Sequence, residues 1–146
     1  MFYPLSHRFL EEHNGANITN YWANWDLCNI NAIMAIGICC DRRDLYNEAI
    51  NYYKNGRGNG AAAHNVYAIH PGHLGQWQES GRDQGHATLG MALCGALCEM
   101  AWSQGDDLYG YWNNRLLSAA EYVAASNLAD AGGAYPALPF SRYANR

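Results

Sequence analysis

Hydrophobic positions recur at helical spacing through the middle of the chain. From Trp25 to Cys39 the apolar residues cover nearly the whole circumference of a helix, which predicts a buried helix that ends near Cys40. Asp41 is the expected N-cap of a second helix, and Gly56 is its expected C-terminal stop. These two helices are predicted to form a tight hairpin.

A second pair of helices repeats this plan. The segment from Ser80 to Ser103 is predicted to be a helix that Gly105 ends, and Asp106-Asp107 is expected to open the last helix. Small residues in the third helix allow neighbouring backbones to approach closely. Its apolar stripe consists of Leu89, Leu93, Leu97 and Met100. The pattern predicts an all-α fold in which helices pack on helices.

Two segments lack a sustained period of either kind. The Gly-rich stretch from Asn55 to Glu79 is predicted to be a long loop, and loops of this length inside compact domains are usually functional. The tail from Ala131 onward is predicted to be a second loop. The first loop contains His70-Pro71-Gly72-His73, but Pro and Gly prevent helical presentation of the two imidazoles, so we predict no metal site there.

Composition narrows the class of protein. A chain of 146 residues suits one domain, 1–146, and 49% hydrophobic residues with 15% charged residues exclude a disordered chain. A surface built from Asn, Gln, Ser, Tyr and Gly suits carbohydrate. The net charge of −4 and the scattered positions of nine Lys and Arg residues argue against nucleic acid and anionic membranes as partners.

The cysteines and the first residues carry further expectations. Five cysteines, two of them adjacent at Cys39 and Cys40, do not fit a disulfide framework and are predicted to be buried thiols. The start Met1-Phe2-Tyr3-Pro4 lacks the features of a signal peptide. The longest apolar run, from Ile30 to Cys40, is too short to span a bilayer.

The chemistry is expected in the segment from Gln76 to His86. Ser80-Gly81-Arg82-Asp83 has the spacing of a capping box, which predicts that Ser80 begins the helix. Arg82 and His86 then share one face beside the positive end of the helix dipole, where an anion is favoured. Alternatively, Arg82 only pairs with Glu79 or Asp83, and His86 is an ordinary surface residue.

The stretch from Tyr21 to Gly133 resembles the alginate lyase family of helical-toroid polysaccharide lyases. It is most similar to the branch with an Asn-Trp pair, here Asn24-Trp25, and the run Gln-Glu-Ser-Gly-Arg-Asp-Gln-x-His, here Gln78 to His86. The resemblance implies part of an α/α toroid, an incomplete barrel of antiparallel helical hairpins with long loops. It also implies a truncated domain that can be inactive alone, and a secreted or periplasmic protein.

The resemblance implies β-elimination on a uronate-containing polysaccharide such as alginate or glucuronan, without a metal or organic cofactor. Arg82 and Asn24 would neutralise the uronate carboxylate, and His86 is the candidate base that removes the C5 proton. Tyr143 is the candidate acid, with Tyr67 as the alternative. Other members place a His after the neutralising Asn and a Tyr near the position of His86, so the division of acid and base work stays open.

Several neighbouring residues are candidates for substrate binding. Trp25 and Trp77 are predicted to stack on sugar rings, Gln78 and Glu79 to hydrogen-bond hydroxyls, and His13 to line the cleft. The alternatives are core packing for the tryptophans and a simple turn at His13. Two other functions also remain open: a glycoside hydrolase, which needs two carboxylic acids, and a non-catalytic carbohydrate-binding module. The oligomeric state stays open.

Overall fold

The computed structural model describes residues 2–143 and confirms the all-α prediction. Helices make up 63% of the structure and strands 6%. A two-stranded antiparallel sheet interrupts the helices. In chain order the elements are α1 (Phe2–Glu12), a 3₁₀ turn (His13–Gly15), α2 (Ala23–Cys39), α3 (Arg43–Asn55), α4 (Ala62–Asn65), β1 (Val66–His70), β2 (Leu74–Trp77), a 3₁₀ turn (Gln78–Gly81), α5 (Gln84–Ser103) and α6 (Tyr111–Asn127).

The predicted first hairpin is present as α2 and α3. Gly37 lets the two helices approach, because a Cβ there would lie 2.6 Å from the backbone N of Tyr46. The expected cap at Asp41 is wrong: α3 begins at Arg43, and Asp41 has a left-handed φ of 52° in the turn before it. α2 is also buried on one side only. Its core-facing residues are Leu27, Ile30, Ile33 and Met34.

Helix α1 was not predicted. Phe9 and Leu10 are buried, and α1 packs on α2. Pro4 is compatible with this helix because the N–H that it lacks belongs to the first turn, where helical N–H groups have no partner within the helix. α1 therefore adds a third helix to the hairpin side of the core.

The sequence predicted that the segment from Asn55 to Glu79 is one long loop, and this prediction is wrong. The segment contains α4 and the β1–β2 hairpin, with His70 opposite Leu74 beside the turn. Helix α6 packs mainly on β2, because Gly75 leaves room for the backbone of Ala119. The predicted direct pairing of the last two helices is therefore largely replaced by packing across a strand.

Both predicted helix starts in the second half need correction. α5 begins at Gln84, and its N-cap is Asp83, whose carboxylate accepts a hydrogen bond from the backbone N of His86. Ser80 lies in the 3₁₀ turn before it. Asp107 caps a turn by accepting from Gly110 N at 2.8 Å, and α6 begins only at Tyr111.

The cysteines are only partly buried. Cys94 and Cys98 of α5 lie in the core, whereas the other three side chains are exposed, so the prediction of five buried thiols is wrong. The exposed thiols are Cys28, Cys39 and Cys40. In the described part of the chain, no helix combines the length and the apolar character that a membrane crossing requires.

Candidate active site

His86 is held by the carboxylate of Asp83. Oδ1 of Asp83 accepts the backbone N–H of His86 at 2.8 Å, and Oδ2 lies 2.6 Å from ring Nδ1. An ionised carboxylate only accepts hydrogen bonds, so Nδ1 carries the ring proton and Nε2 is the basic nitrogen of the neutral imidazole. The bonds from His86 hold the pKa of the Asp83 carboxyl below its ordinary value. The His86 side chain is 38% exposed and accessible to a ligand.

Arg82 pairs with a fully buried carboxylate. Its Nη1 donates to Glu79 Oε2 at 3.2 Å, so the ion pair that the sequence left open as an alternative is present. The guanidinium lies 5.2 Å from the ring centre of Trp22. Because a guanidinium has five N–H donors and the side chain is 30% exposed, pairing with Glu79 leaves donors that can face an anion.

The two sequence motifs meet at the beginning of α2. Gln78 Oε1 accepts from Ala23 N, and Glu79 Oε1 accepts from Asn24 N, both at 2.9 Å. These side chains satisfy N–H groups at the start of a helix whose own residues supply no side-chain cap. The Asn24 side chain in turn donates to the backbone O of His86 at 2.8 Å. The Asn-Trp pair is thus fixed against the run from Gln78 to His86.

Two buried amide atoms at this junction lack a protein partner among residues 2–143. They are Oδ1 of Asn24 and Nε2 of Gln78. Buried polar groups are usually paired, so such atoms indicate a place for water or a ligand. Gln78 also lines a cavity of about 380 Å³ together with Trp22 and Gly81.

Tyr143 lies at this same cavity. Its ring centre is 4.9 Å from that of Tyr67, and both rings line the cavity beside Arg142. Tyr67 lies in β1, not in a loop, and its hydroxyl donates to Ser141 O. Burial raises the pKa of Tyr67 to about 12. A second cavity of about 490 Å³ is lined by Ser80 and Asp83, among others.

The predicted substrate-binding residues differ in how far they are exposed to solvent. Trp77 and Glu79 are fully buried, and a side chain at Gly90 would overlap the Trp77 indole, so neither presents a surface to a sugar. His13 lies in the predicted turn but is also fully buried. Trp25 is 52% exposed and retains a face for a ligand.

Sequence reasoning missed three buried polar residues near the site. Asp26 holds His13 Nε2 at 2.8 Å and accepts from Gly60 N at 2.9 Å. Asn59 accepts from the Tyr143 hydroxyl at 2.6 Å. Gln76 binds both the N–H and the C=O of Ser141, at 2.7 and 2.9 Å. A buried Asp one turn into an apolar helix was a usable signal, whereas the contacts made by Asn59 and Gln76 depend on distant segments.

No group of His, Cys, Asp and Glu side chains that could hold a metal ion occurs between Phe2 and Tyr143. Of the candidate residues, Gln78 and Tyr143 line the cavity of about 380 Å³, whereas Asn24, Arg82 and His86 line neither of the two cavities. A family model described as alginate lyase matches residues 4–132. The chain therefore belongs to the alginate lyase family, and the family is one of polysaccharide lyases. Searches of curated proteins and of solved structures returned no match.

Proposed function

We propose that the protein cleaves uronate-containing polysaccharide, of the alginate or glucuronan type, by β-elimination. The observation that carries this proposal is the Asp83–His86 pair, which leaves Nε2 as a basic nitrogen on a partly exposed ring. A carboxylate that fixes the tautomer and direction of an imidazole is the arrangement that general bases use. His86 Nε2 would remove the proton from C5 of the uronate.

Removal of the C5 proton requires neutralisation of the adjacent uronate carboxylate. Arg82 would supply this through the guanidinium donors that Glu79 does not use, since ionised donors form the stronger hydrogen bonds. Gln78 lines the cavity of about 380 Å³, but its side chain is 1% exposed and its Oε1 accepts from Ala23 N, so we assign it no bond to the substrate carboxylate. Asn24 would act beside Arg82, with one amide N–H held by His86 O.

The leaving O4 needs a proton, and Tyr143 would provide it. The C5 proton passes to His86 Nε2, the C5–H electron pair forms the C4–C5 double bond, and the C4–O4 bond breaks as O4 takes the phenolic proton. Water then restores both side chains. Trp25 would stack on a sugar ring through its exposed face. A polymeric substrate of this kind supports the prediction of a secreted or periplasmic protein.

The glycoside hydrolase alternative is less well supported. Its two candidate acids are Glu79, which is fully buried against Arg82 and Asn24, and Asp83, which caps α5 and holds His86. Both carboxyl groups are therefore already bonded to other protein groups. The non-catalytic binding module needs no particular orientation of His86, so the Asp83–His86 pair gives it no support.

The test is ultraviolet absorbance from the new C4–C5 double bond on incubation with polymannuronate, polyguluronate and glucuronan. We expect signal on at least one polymer, and a loss of roughly 100-fold or more in kcat for His86→Ala. Arg82→Ala should lose activity, whereas Arg42→Ala is the matched control, because Arg42 pairs with Asp44 on the surface away from the site. Products without a double bond would identify a hydrolase. Sugar binding without cleavage, retained in the Arg82→Ala, His86→Ala double variant, would identify a binding module.

A further inference from the structure

Asn59 is a buried amide that makes three hydrogen bonds, in which both of its N–H groups and its oxygen take part. It lies between Gly58 and Gly60 and is 1% exposed. Its Nδ2 donates to the backbone oxygens of Thr19 at 3.1 Å and Tyr21 at 2.6 Å. Its Oδ1 accepts from the Tyr143 hydroxyl at 2.6 Å.

This pattern fixes the direction of the Tyr143 proton. Backbone oxygens cannot donate, so both amide protons of Asn59 must point to them and its Oδ1 must point to Tyr143. Oδ1 can only accept, and the phenol therefore holds its proton on the line to Asn59. An acceptor at that position stabilises the neutral phenol and opposes the phenolate.

The loop that carries Asn59 is itself anchored in the core. The buried Asp26 accepts from Gly60 N, and its other oxygen binds His13. Any side chain at Gly58 or Gly60 would overlap Asp26. Asp26 lies in α2 one position after Trp25, so the helix that carries Asn24 also fixes the position of Asn59.

We propose that Asn59 is the positioning residue for Tyr143: its oxygen holds the hydroxyl in place and protonated until rotation about the C–O bond turns the proton to the leaving O4. The inference rests on the proposed function, in which Tyr143 is the acid. It adds that Tyr143 does not serve as the base, because a base must be a phenolate before the reaction starts, whereas the Asn59 oxygen favours the neutral phenol in the resting site. Tyr67 has different partners, since its hydroxyl donates to Ser141 O and accepts from Gln76.

The experiment is a double-mutant cycle in kcat and KM on the full chain, with the polyuronate that gives the largest double-bond signal. We expect Asn59→Ala to lower kcat at least about tenfold with KM nearly unchanged, and Tyr143→Phe to lower it at least as much. In the Tyr143→Phe background, Asn59→Ala should cause no further loss in kcat, because the group through which it acts is gone.

Asn65→Ala is the matched control. Asn65 is equally buried and donates to Gly60 O at 3.0 Å, so it supports the same loop without contacting Tyr143. We expect its kcat to stay near that of the unmodified chain. Should Asn59→Ala fail to fold, Asn59→Ser is measured by the same criteria.

The outcomes separate the two proposals. Full activity of Tyr143→Phe would overturn the acid role itself, as would the absence of cleavage of any polyuronate by the unmodified chain. Loss of activity in Tyr143→Phe together with an equal, additive loss from Asn59→Ala in both backgrounds would overturn only the positioning role. The same would follow if Asn65→Ala lowered kcat as much as Asn59→Ala.

Discussion

The Asp83 carboxylate joins a helix start to the candidate base, since one oxygen caps α5 through the backbone of His86 and the other holds its ring. One side chain therefore fixes both the position of the imidazole and the nitrogen that carries its proton. The spacing of Asp83 and His86 in the run Gly-Arg-Asp-Gln-x-His has a structural reason, because the N–H of the third residue after an N-cap lies within reach of the capping side chain.

Asp83→Asn should separate the capping of α5 from the orientation of the His86 ring. The amide oxygen can still accept the backbone N–H of His86, but its NH2 group would donate to ring Nδ1 and so favour the tautomer with the proton on Nε2, which cannot act as a base. We expect kcat to fall at least about tenfold while the far-ultraviolet helical signal remains. Asp107→Asn is the matched control, because Asp107 also accepts a backbone N–H before a helix but lies outside both cavities described above. Equal activity of the two variants would contradict an orienting role for Asp83.

The stabilising effect of Asp83 should depend on pH. Its folded pKa is lowered by the bonds from His86, so its contribution is fully present above the ordinary carboxyl pKa of about 4 and is lost as the pH falls through the folded value. Urea midpoints of the unmodified chain and Asp83→Asn should therefore differ at neutral pH and converge in acid. A difference that stays constant down to the lowest pH would contradict this assignment.

Two glycines of α5 should respond oppositely to Ala. A methyl group at Gly90 overlaps the indole of the buried Trp77, so Gly90→Ala should cost about 1–3 kcal/mol of unfolding free energy. Nothing lies within 4 Å of a Cβ at Gly95, so Gly95→Ala should stabilise the helix by about 0.5–1 kcal/mol. Urea denaturation of both variants checks this, and equal shifts would show that Trp77 does not pack on Gly90.

Glu79→Gln should weaken the junction between the two motifs. Glutamine still offers an acceptor to Asn24 N, but Arg82 loses its buried counter-charge. We expect a loss of about 1–3 kcal/mol, below the cost for a wholly buried pair because Arg82 is partly exposed. Asp44→Asn removes the acid of an exposed ion pair and should leave the urea midpoint unchanged. A Glu79→Gln protein as stable as the unmodified chain would contradict the structural role of this carboxylate.

The thiols should divide into two classes of reactivity. Burial raises the pKa of Cys98 to about 12 and that of Cys94 well above its ordinary value, so neither forms a thiolate at neutral pH. Cys28, Cys39 and Cys40 are exposed. A thiol reagent should therefore modify these three in the native protein and the buried pair only after denaturation, as peptide mass spectrometry can show. Equal labelling of Cys94 in the native state would contradict its place in the core.

The hydrophobic pattern predicted the longer helices because their periodicity is a local property of the chain. The helix ends were less predictable. Ser80 and Asp83 are both good capping residues, and spacing alone favoured the first, whereas the structure uses the second. The burial of α2 was also only partly predictable. Its apolar residues surround the helix, but the sequence does not show which side other elements cover, and Trp25 and Cys28 are exposed.

By itself, the sequence determined the helical class, the segments that form α2, α3 and α5, and the motifs that identify an alginate lyase family member. Only the tertiary structure decided what those motifs contact. Gln78 and Glu79 cap a helix 55 positions earlier, and Asn59 accepts a hydrogen bond from a tyrosine 84 positions later. Such bonds join groups that lie far apart in the sequence and meet only when the chain packs. Local sequence patterns therefore do not reveal them.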